Sequence, residues 1–297
     1  MADSEDTFGG PWTEQKLEIL EKYLRAYVTA LKKQKFRLTY VDGFAGIGHI
    51  PKRKTEAEDD LLFVSRELED DIKLFRDGSA SIALRVKPSF HRYCFIEQSK
   101  RRADNLERLK EKFPDLKDCI YVIRDDCNTA IQRLCVEDWS HQRAVVFLDP
   151  YGMQVSWRTI EAIARTQAMD LWVLVPHAIG VNRLLRKDAD LSPRVVQRLN
   201  AFFGCEDWKE RFYNKNGQMG LFYAEQERKT ADLKLITEYY LERLRGIFAG
   251  VLDKTFILCN SRGAPMYVLC FACGNPRAVP LAKKIADDII KNCQPWP

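Results

Sequence analysis

The feature that most constrains the fold is a short apolar run that ends in an acidic residue and a glycine-rich turn. Residues 38–41 are β-prone, and Asp42 follows them directly. The glycines of the turn are Gly43, Gly46 and Gly48. Glycine lets a backbone come close to a ligand and adopt positive φ, because it has no Cβ. The stretch therefore predicts a parallel strand that ends at a nucleotide-type ligand site.

The spacing of these glycines differs from the dinucleotide-binding fingerprint. Here an acid precedes the order G-x-x-G-x-G, whereas the fingerprint has G-x-G-x-x-G. A carboxylate repels a pyrophosphate and attracts an ammonium group, so we expect S-adenosylmethionine rather than NAD. The residues of the turn predicted to bind this cofactor are Asp42, Gly43, Phe44, Ala45, Gly46 and Gly48. The alternative is a tight turn in which Asp42 only caps a helix.

Strands and helices are predicted to alternate along the chain. The predicted strands are residues 38–41, 91–97, 120–124, 143–149 and 170–175, and the helices that follow three of them are 100–113, 129–136 and 157–165. A hairpin is predicted from residues 255–259 and 266–272, followed by a helix at 279–291. Such alternation is typical of βαβ units. We predict an α/β fold with a Rossmann-like sheet of seven strands, mostly parallel with one antiparallel strand.

The predicted domain organisation has one main unit. Residues 1–11 are interpreted as a flexible leader, and a long amphipathic helix begins at Thr13, its predicted N-cap. Residues 12–297 then form a single domain, since a chain of this length can bury one large core. Two insertions are predicted within it, a charged stretch at 51–76 and a mostly helical stretch at 178–250.

The composition predicts a soluble protein of the cytoplasm with no membrane partner. A hydrophobic content of 46% and a charged content of 30% are typical of globular domains. The net charge of +5 permits a nucleic-acid partner without requiring one. No signal-peptide pattern or membrane-length apolar run is present in the sequence.

The nine cysteines are interpreted as reduced thiols. Cys270 and Cys273 form a C-x-x-C motif, but strand geometry would put them on opposite faces, so we predict a structural role and no metal site.

Acidic residues stand at the ends of four successive predicted strands: Asp42, Glu97, Asp126 and Asp149. The carboxyl ends of parallel strands converge on one crevice, so these side chains are expected to ring a single site. Glu97 is predicted to accept hydrogen bonds from both ribose hydroxyls of the cofactor. Asp126, beside the Cys127 amide, is predicted to meet the adenine amine, and Asp149 to close the site near the methyl group. The alternative role for a strand-end acid is that of a helix N-cap.

The turn Asp149-Pro150-Tyr151-Gly152 bears on the substrate. It is similar to the Asp/Asn-Pro-Pro-Tyr/Phe motif of amino-methylating enzymes, in which a side-chain oxygen and a prolyl carbonyl orient an exocyclic amine and an aromatic ring stacks on the base. The similarity implies that Asp149, Pro150 and Tyr151 are catalytic, with Tyr151 in the place of the second proline. The other interpretation is an acidic turn that ends a buried strand.

Three residues beyond the fifth predicted strand are candidate substrate contacts: His177, Asn182 and Arg183. His177 could instead be structural, and the same two interpretations apply to His49 in the glycine turn. Basic residues are interleaved with Trp208, Phe212 and Tyr213, as suits phosphate contact and base stacking. The alternative for this region is a solvated amphipathic surface, because acidic residues dilute its charge.

Several motifs along the chain together resemble one family. They are Thr13-x-x-Lys16, Tyr40-Val-Asp-Gly-Phe-Ala-Gly46, Gly78-Ser79, Phe95-Ile-Glu97, Phe147-Leu-Asp-Pro-Tyr-Gly152, Asp170-Leu-Trp172, Asn182-Arg183 and Met266-Tyr-Val-Leu-Cys-Phe-Ala272. In this order they cover nearly the whole chain and resemble the three-Cys-motif partner (TcmP) family, which is similar to class I S-adenosylmethionine-dependent methyltransferases. The resemblance implies the same fold and cofactor, and a companion protein with three cysteines, of iron–sulfur type.

The sequence therefore predicts an S-adenosylmethionine-dependent methyltransferase that acts on a nucleic-acid base, RNA or DNA, at an exocyclic amine. Two alternatives remain open. The chain could be a non-catalytic methyltransferase-like subunit of its three-cysteine companion, which the altered position of Tyr151 favours. It could also be a nuclease in which Asp42, Asp126 and Asp149 hold a divalent metal.

Overall fold

A central sheet organises the residues that the computed structural model describes, which are 11–46, 78–215, 227–260 and 262–293. The strands are β1 (Arg37–Asp42), β2 (Arg92–Ile96), β3 (Ile120–Ile123), β4 (Gln142–Leu148), β5 (Met169–Val175), β6 (Tyr213–Lys215), β7 (Glu227–Lys229), β8 (Gly250–Val251), β9 (Phe256–Cys259) and β10 (Pro265–Cys273). The helices are α1 (Pro11–Leu31), α2 (Ser79–Arg85), α3 (Lys100–Glu107), α4 (Leu109–Lys112), α5 (Cys127–Cys135), α6 (Trp157–Arg165), α7 (Pro193–Phe203), α8 (Trp208–Phe212), α9 (Leu233–Arg245) and α10 (Val279–Asn292). A 3₁₀ segment, Pro114–Cys119, precedes β3, and a π-helical segment, His177–Asn182, follows β5.

The strand order of the main sheet is β3-β2-β1-β4-β5-β10, with β8 and β9 both paired to the outer edge of β10. Neighbouring strands among β1–β5 are parallel, whereas β10 runs antiparallel to β5, β8 and β9. The predicted Rossmann-like sheet with one antiparallel strand is confirmed. Within the described residues it has eight strands instead of seven, because its last edge is shared by two short strands, β8 and β9.

The strand order reverses between β1 and β4. β1 pairs with β2 on one side and with β4 on the other, so the chain extends the sheet in opposite directions from this point. In an open α/β sheet, such a reversal creates a crevice at the carboxyl ends of the two strands. The fold therefore predicts a ligand site above the ends of β1 and β4.

Two hydrophobic cores cover the two faces of the sheet. On one face α1 buries Leu20, Tyr23 and Leu24 at helical spacing, together with residues of α2 and α10. The other face is covered by α5, α6, α7, α8 and α9. Cys270 belongs to one core and Cys273 to the other, so the prediction that they point to opposite faces is confirmed. Among the described helices, none combines the length and the apolar character that crossing a bilayer requires.

Two predicted helix boundaries are wrong. α1 begins at Pro11, so this last residue of the predicted leader is helical, and Thr13 lies inside the helix instead of capping it. The rest of the predicted leader, 1–10, lies outside the described residues. Proline suits the first turn of a helix, because its missing N–H would have no partner there. The helix predicted at 100–113 is divided into α3 and α4 at Arg108.

Within its described residues, the segment predicted as a helical insertion, 178–250, is mostly helical but also contains strands. β6 and β7 pair antiparallel in a small sheet of their own, and β8 joins the main sheet. α9 packs into the core of the main sheet, so this part of the segment is the crossover that leads to β8. The predicted insertion at 51–76, together with Gly48 and His49, lies outside the described residues.

Candidate cofactor and substrate site

The four predicted strand-end acids lie at the same carboxyl edge of the sheet. Asp42 ends β1, and Glu97, Asp126 and Asp149 follow β2, β3 and β4. β1 and β4 are held in register at this edge, where the Gly43 amide donates a hydrogen bond to the Phe147 carbonyl at 3.0 Å. The edge coincides with the crevice that the strand order creates.

Asp42 is fully buried and supports the glycine turn from beneath. Its Oδ1 accepts a hydrogen bond from the Phe44 amide at 3.2 Å, and its Oδ2 accepts one from the Tyr40 hydroxyl at 3.2 Å. Burial, aided by the charge of Asp149, raises the pKa of Asp42 to about 6 against the opposing effect of its hydrogen bonds. In this structure Asp42 shapes the turn and does not face solvent.

Gly43 and Gly46 occupy positions where the turn has no room for a side chain. A Cβ on Gly43 would lie 2.5 Å from Leu148 Cδ2 and 2.9 Å from Cys127 Sγ. A Cβ on Gly46 would lie 2.1 Å from Glu97 Oε2. The two glycines therefore let the turn pack against β4 and α5 and lie directly over the Glu97 carboxylate.

Glu97 is buried below the same turn. Its Oε1 accepts hydrogen bonds from the Ser99 amide and the Arg102 guanidinium, both at 2.6 Å. Its Oε2 faces Gly46, and the Ala45 amide is hydrogen-bonded to the end of β2 at 3.1 Å. One carboxylate oxygen is thus held by the protein, and the other is directed at the turn.

Asp126 caps α5, as the alternative interpretation of the strand-end acids predicts. Its Oδ1 accepts hydrogen bonds from the Asn128 and Thr129 amides at 3.0 and 3.2 Å. Asp126 is exposed, so its second oxygen stays open to another donor. Cys127 is buried in the first turn of α5, and this burial raises the pKa of its thiol well above the usual range. The predicted contact of Asp126 and Cys127 with adenine stays a prediction.

Asp149 forms an ion pair that sequence reasoning missed. Lys16 Nζ, from α1, donates to Asp149 Oδ2 at 2.6 Å, and the two side chains are 4% and 18% exposed. A lysine this deeply buried requires such a partner, because removing its charge from water is costly. The signal that could have revealed it is the position of Lys16 on the stripe of α1 that buries Leu20 and Tyr23.

The rest of the turn after β4 is held by hydrogen bonds of its backbone. Pro150 is buried, whereas Tyr151 is partly exposed, and the Tyr151 amide donates to Gln154 Oε1 at 2.8 Å. Gly152 has a φ of 74°, in the left-handed region that favours glycine. Its backbone also hydrogen-bonds with the Tyr267 hydroxyl. The turn is therefore held in one conformation, with the partly exposed Tyr151 two residues after Asp149.

His177 lies at the end of β5 beneath the surface, with 2% of the residue exposed. Thr237 donates its only hydroxyl proton to the Leu233 carbonyl at 2.8 Å, so His177 Nδ1 must be the donor in its own 2.8 Å contact with that hydroxyl. His177 Nε2 is then an acceptor, and it has no partner among the described residues. Burial lowers the pKa of His177 to about 4. His177 is therefore a buried imidazole at the carboxyl end of β5, neutral near pH 7.

Asn182 and Arg183 differ in their surroundings. Lys229 Nζ donates to Asn182 Oδ1 at 2.7 Å and to the Asn182 carbonyl at 3.0 Å, which ties the π-helical segment to β7. Arg183 is exposed. The aromatic residues considered for base stacking in this region, Trp208, Phe212 and Tyr213, are buried in the core. For these three aromatic side chains, the structure therefore agrees with the alternative interpretation, an amphipathic region, and not with base stacking.

The nuclease alternative needs several acidic or histidine side chains around one ion. Among the described residues, no group of three or more His, Cys, Asp or Glu side chains is arranged to hold a metal ion. Asp42 is buried and accepts hydrogen bonds from Tyr40 and Phe44, whereas Asp126 is exposed and caps a helix. These placements give the proposed trio of Asp42, Asp126 and Asp149 no support as a metal site.

Strand order and site position define the class of fold. The sheet reverses at β1 and β4, ends in one antiparallel strand, and carries acids at the carboxyl ends of β1–β4. This chain therefore has a class I methyltransferase-like α/β fold.

The resemblance of this chain to known proteins lies in its structure. No family model matches the chain, and no curated protein matches its sequence. A Legionella pneumophila protein of family DUF519 is 14% identical with a TM-score of 0.45, covering 93% of this chain and 90% of that protein. An S-adenosylmethionine-dependent methyltransferase from Mesorhizobium loti is 13% identical with a TM-score of 0.33, covering 83% and 97% of the two chains. These likenesses are too weak to bear on activity, and the resemblance to the TcmP family stays a prediction.

Proposed function

We propose that this chain is an S-adenosylmethionine-dependent methyltransferase that modifies an exocyclic amine of a nucleic-acid base. The observation that carries the proposal is the geometry of Asp149. Its Oδ2 is held by the buried Lys16, whereas its Oδ1 accepts no hydrogen bond within the described part of the chain. A fixed acceptor of this kind stands at the point where the strand order reverses.

The residues around the glycine turn fit the cofactor. The missing side chain at Gly46 lets the turn's backbone lie against Glu97. We assign the ribose hydroxyls to Glu97 Oε2, because the hydrogen bonds of Glu97 to Ser99 and Arg102 use Oε1. The open oxygen of Asp126 suits the adenine amine, and the backbone of Gly43–Gly46 suits the methionine part. When bound, S-adenosylmethionine would supply an electrophilic methyl group.

The residues of the turn after β4 would orient the acceptor nitrogen. Asp149 Oδ1 and the Pro150 carbonyl each accept one N–H of the amine, so that its lone pair is directed into the crevice. The Tyr151 ring, which is partly exposed, stacks on the base. Lys16 positions the Asp149 carboxylate through its other oxygen. Most of the rate enhancement then comes from holding the nitrogen in a reactive orientation.

The first test is calorimetric titration with S-adenosylmethionine and S-adenosylhomocysteine. Glu97→Ala should weaken binding by about tenfold or more, since it removes the carboxylate beneath the turn. Glu137→Ala is the matched control, because Glu137 accepts from Arg92 at 2.6 Å just as Glu97 accepts from Arg102, but lies away from the turn. Equal loss in both variants would contradict the assignment of the cofactor site.

The second test is transfer of a radiolabelled methyl group to RNA and to DNA. The wild type should label one of them, and Asp149→Ala should abolish labelling, because it removes the acceptor that would orient the amine. Binding of the cofactor with no labelling of any RNA or DNA would refute the transferase proposal. A non-catalytic subunit that requires a three-cysteine companion would then explain the site better.

A further inference from the structure

Arg198, on α7, lies beside the turn that carries Asp149. The atom nearest to a Cβ built on Gly152 is Arg198 Nη2, at 3.9 Å. Gly152 is the last residue of the proposed base-holding turn, so a guanidinium group borders that turn directly. Arg198 is half-buried, which limits the ways in which its charge can be hydrated.

The surroundings of Arg198 are cationic. Arg194 precedes it by one helical turn, and burial together with the charge of Arg194 lowers the pKa of Arg198. Within the described part of the chain, Arg198 donates no hydrogen bond and no carboxylate pairs with it. Arg92 and Arg102, by contrast, each pair with a glutamate at 2.6 Å.

Two like charges at i and i+4 repel each other, and partial burial of one of them adds a desolvation cost. A bound anion would offset both. The guanidinium is planar with five donors and matches a phosphate group better than a lysine does. The position beside Gly152 places such an anion next to the base that Tyr151 and Asp149 would hold.

We propose that Arg198, assisted by Arg194, binds a backbone phosphate of the nucleic-acid substrate adjacent to the target base. This inference rests on the proposed function, because it assigns the phosphate to the same substrate. Arg198 contacts the phosphate and sets the position of the strand, and Arg194 adds charge from the more exposed side of α7.

The test is fluorescence anisotropy with labelled single-stranded oligoadenylate, as RNA and as DNA, titrated with full-length protein between about 50 and 200 mM NaCl. Arg198→Ala should raise the Kd about tenfold, which corresponds to one lost charged hydrogen-bonding group. The slope of log K against log salt should become shallower by about 0.7, the value for one phosphate contact on a single strand. Arg198→Lys should keep the slope and lose part of the affinity, since it keeps the charge without the planar donor fork.

Arg165→Ala is the control, because Arg165 lies at the far end of α6 and pairs with Glu161 on its own helix. It removes the same charge and should change neither Kd nor slope. Thermal unfolding of each variant near the wild-type temperature shows that the fold is retained. If the alanine variant is unstable, the partial loss of affinity at unchanged slope in Arg198→Lys still tests the site.

Three results would overturn the phosphate site. In the first, the wild type binds neither oligonucleotide. In the second, Arg198→Ala keeps the wild-type Kd and slope. In the third, Arg165→Ala weakens binding as much as Arg198→Ala does. Displacement of the oligonucleotide by polyglutamate at equal charge concentration would assign the site to an acidic peptide and also refute the proposal. Arg198-dependent binding without methyl transfer would keep the phosphate site and refute the transferase. Calorimetric titration of Arg198→Ala with S-adenosylmethionine should give the wild-type Kd, because Arg198 is assigned to the nucleic acid and not to the cofactor.

Discussion

The ion pair between Lys16 and Asp149 gives the sharpest prediction about stability. Asp149→Asn removes the carboxylate charge from Lys16, whose side chain is 4% exposed, and leaves the side-chain shape almost unchanged. Breaking a buried pair by removing one partner costs about 3–5 kcal/mol, because the remaining charge is left desolvated. Lys16 makes further interactions, which places the expected loss near the lower end of that range.

The assay is a double-mutant cycle with urea unfolding of the wild type, Lys16→Met, Asp149→Asn and the variant that carries both. Lys16→Met should cost less than Asp149→Asn, because Asp149 is the more exposed partner. The double variant should be more stable than Asp149→Asn alone, with a coupling energy of about 2 kcal/mol. The same cycle on Arg92 and Glu137, which are 24% and 35% exposed, should give about 1 kcal/mol or less. Equal coupling energies for the two pairs would refute the argument that burial makes the Lys16 pair strong.

Three further predictions follow from the same geometry. Gly46→Ala should weaken S-adenosylmethionine binding by about tenfold or more in calorimetry, because its Cβ would lie 2.1 Å from Glu97 Oε2. Tyr151→Ala should raise the KM for the nucleic acid about tenfold or more through the loss of base stacking, whereas Tyr151→Phe should keep most of the affinity. Asp170→Asn should gain stability relative to the wild type as the pH rises from about 4 to 7. Burial raises the pKa of Asp170 from 3.8 to about 6, so the folded state binds the proton more tightly than the unfolded state and the wild type loses that stability over this range. The pKa of Asp170 differs by about 2 between the folded and unfolded states, so the variant's relative gain in the free energy of unfolding is about 3 kcal/mol.

Each of these predictions has a result that contradicts it. Gly246→Ala, at a helix end with a φ of −69°, is the control for Gly46→Ala and should leave cofactor binding unchanged. Equal KM values for Tyr151→Ala and Tyr151→Phe would exclude stacking by the ring. His177, with its pKa lowered to about 4, changes stability in the opposite direction over an overlapping pH range. The Asp170 effect must therefore be measured as a difference from the wild type, and a difference that is constant with pH would refute it.

The sheet could be predicted from the sequence because each strand carries a local signal. A buried parallel strand appears as a continuous apolar run that ends at an acid, as in residues 143–149, and the corresponding strand was found within one residue at each end. The short strands β6, β7 and β8 show no such signal, because two or three residues are too few to show a period. The split of the last edge strand into β8 and β9 depends on how both pair with β10, which is a tertiary property.

The site could be located from the sequence, but the partners of its side chains could not. The strand-end position of Glu97 is visible as a pattern, whereas the orientation of Arg102 toward it depends on how α3 packs. Lys16 and Asp149 are far apart in the chain and meet because α1 packs on one face of the sheet with its first turns near the end of β4. Arg198 likewise reaches Gly152 only through the placement of α7 on the sheet. Contacts of this range follow from packing rather than from local propensity.

The partners of the strand-end acids bear on which ligand the crevice selects. Asp42 and Asp126 each use one oxygen, Oδ1, to hold backbone amides, so they shape the site. Glu97 and Asp149 are each held by a cation through one oxygen, which fixes the direction of the other. A carboxylate oxygen fixed in this way is a preorganised acceptor for a neutral or cationic donor and a poor neighbour for an anion. The crevice should therefore bind a ligand with hydroxyl, amine and ammonium groups more tightly than a dinucleotide, whose pyrophosphate would lie against the same oxygens.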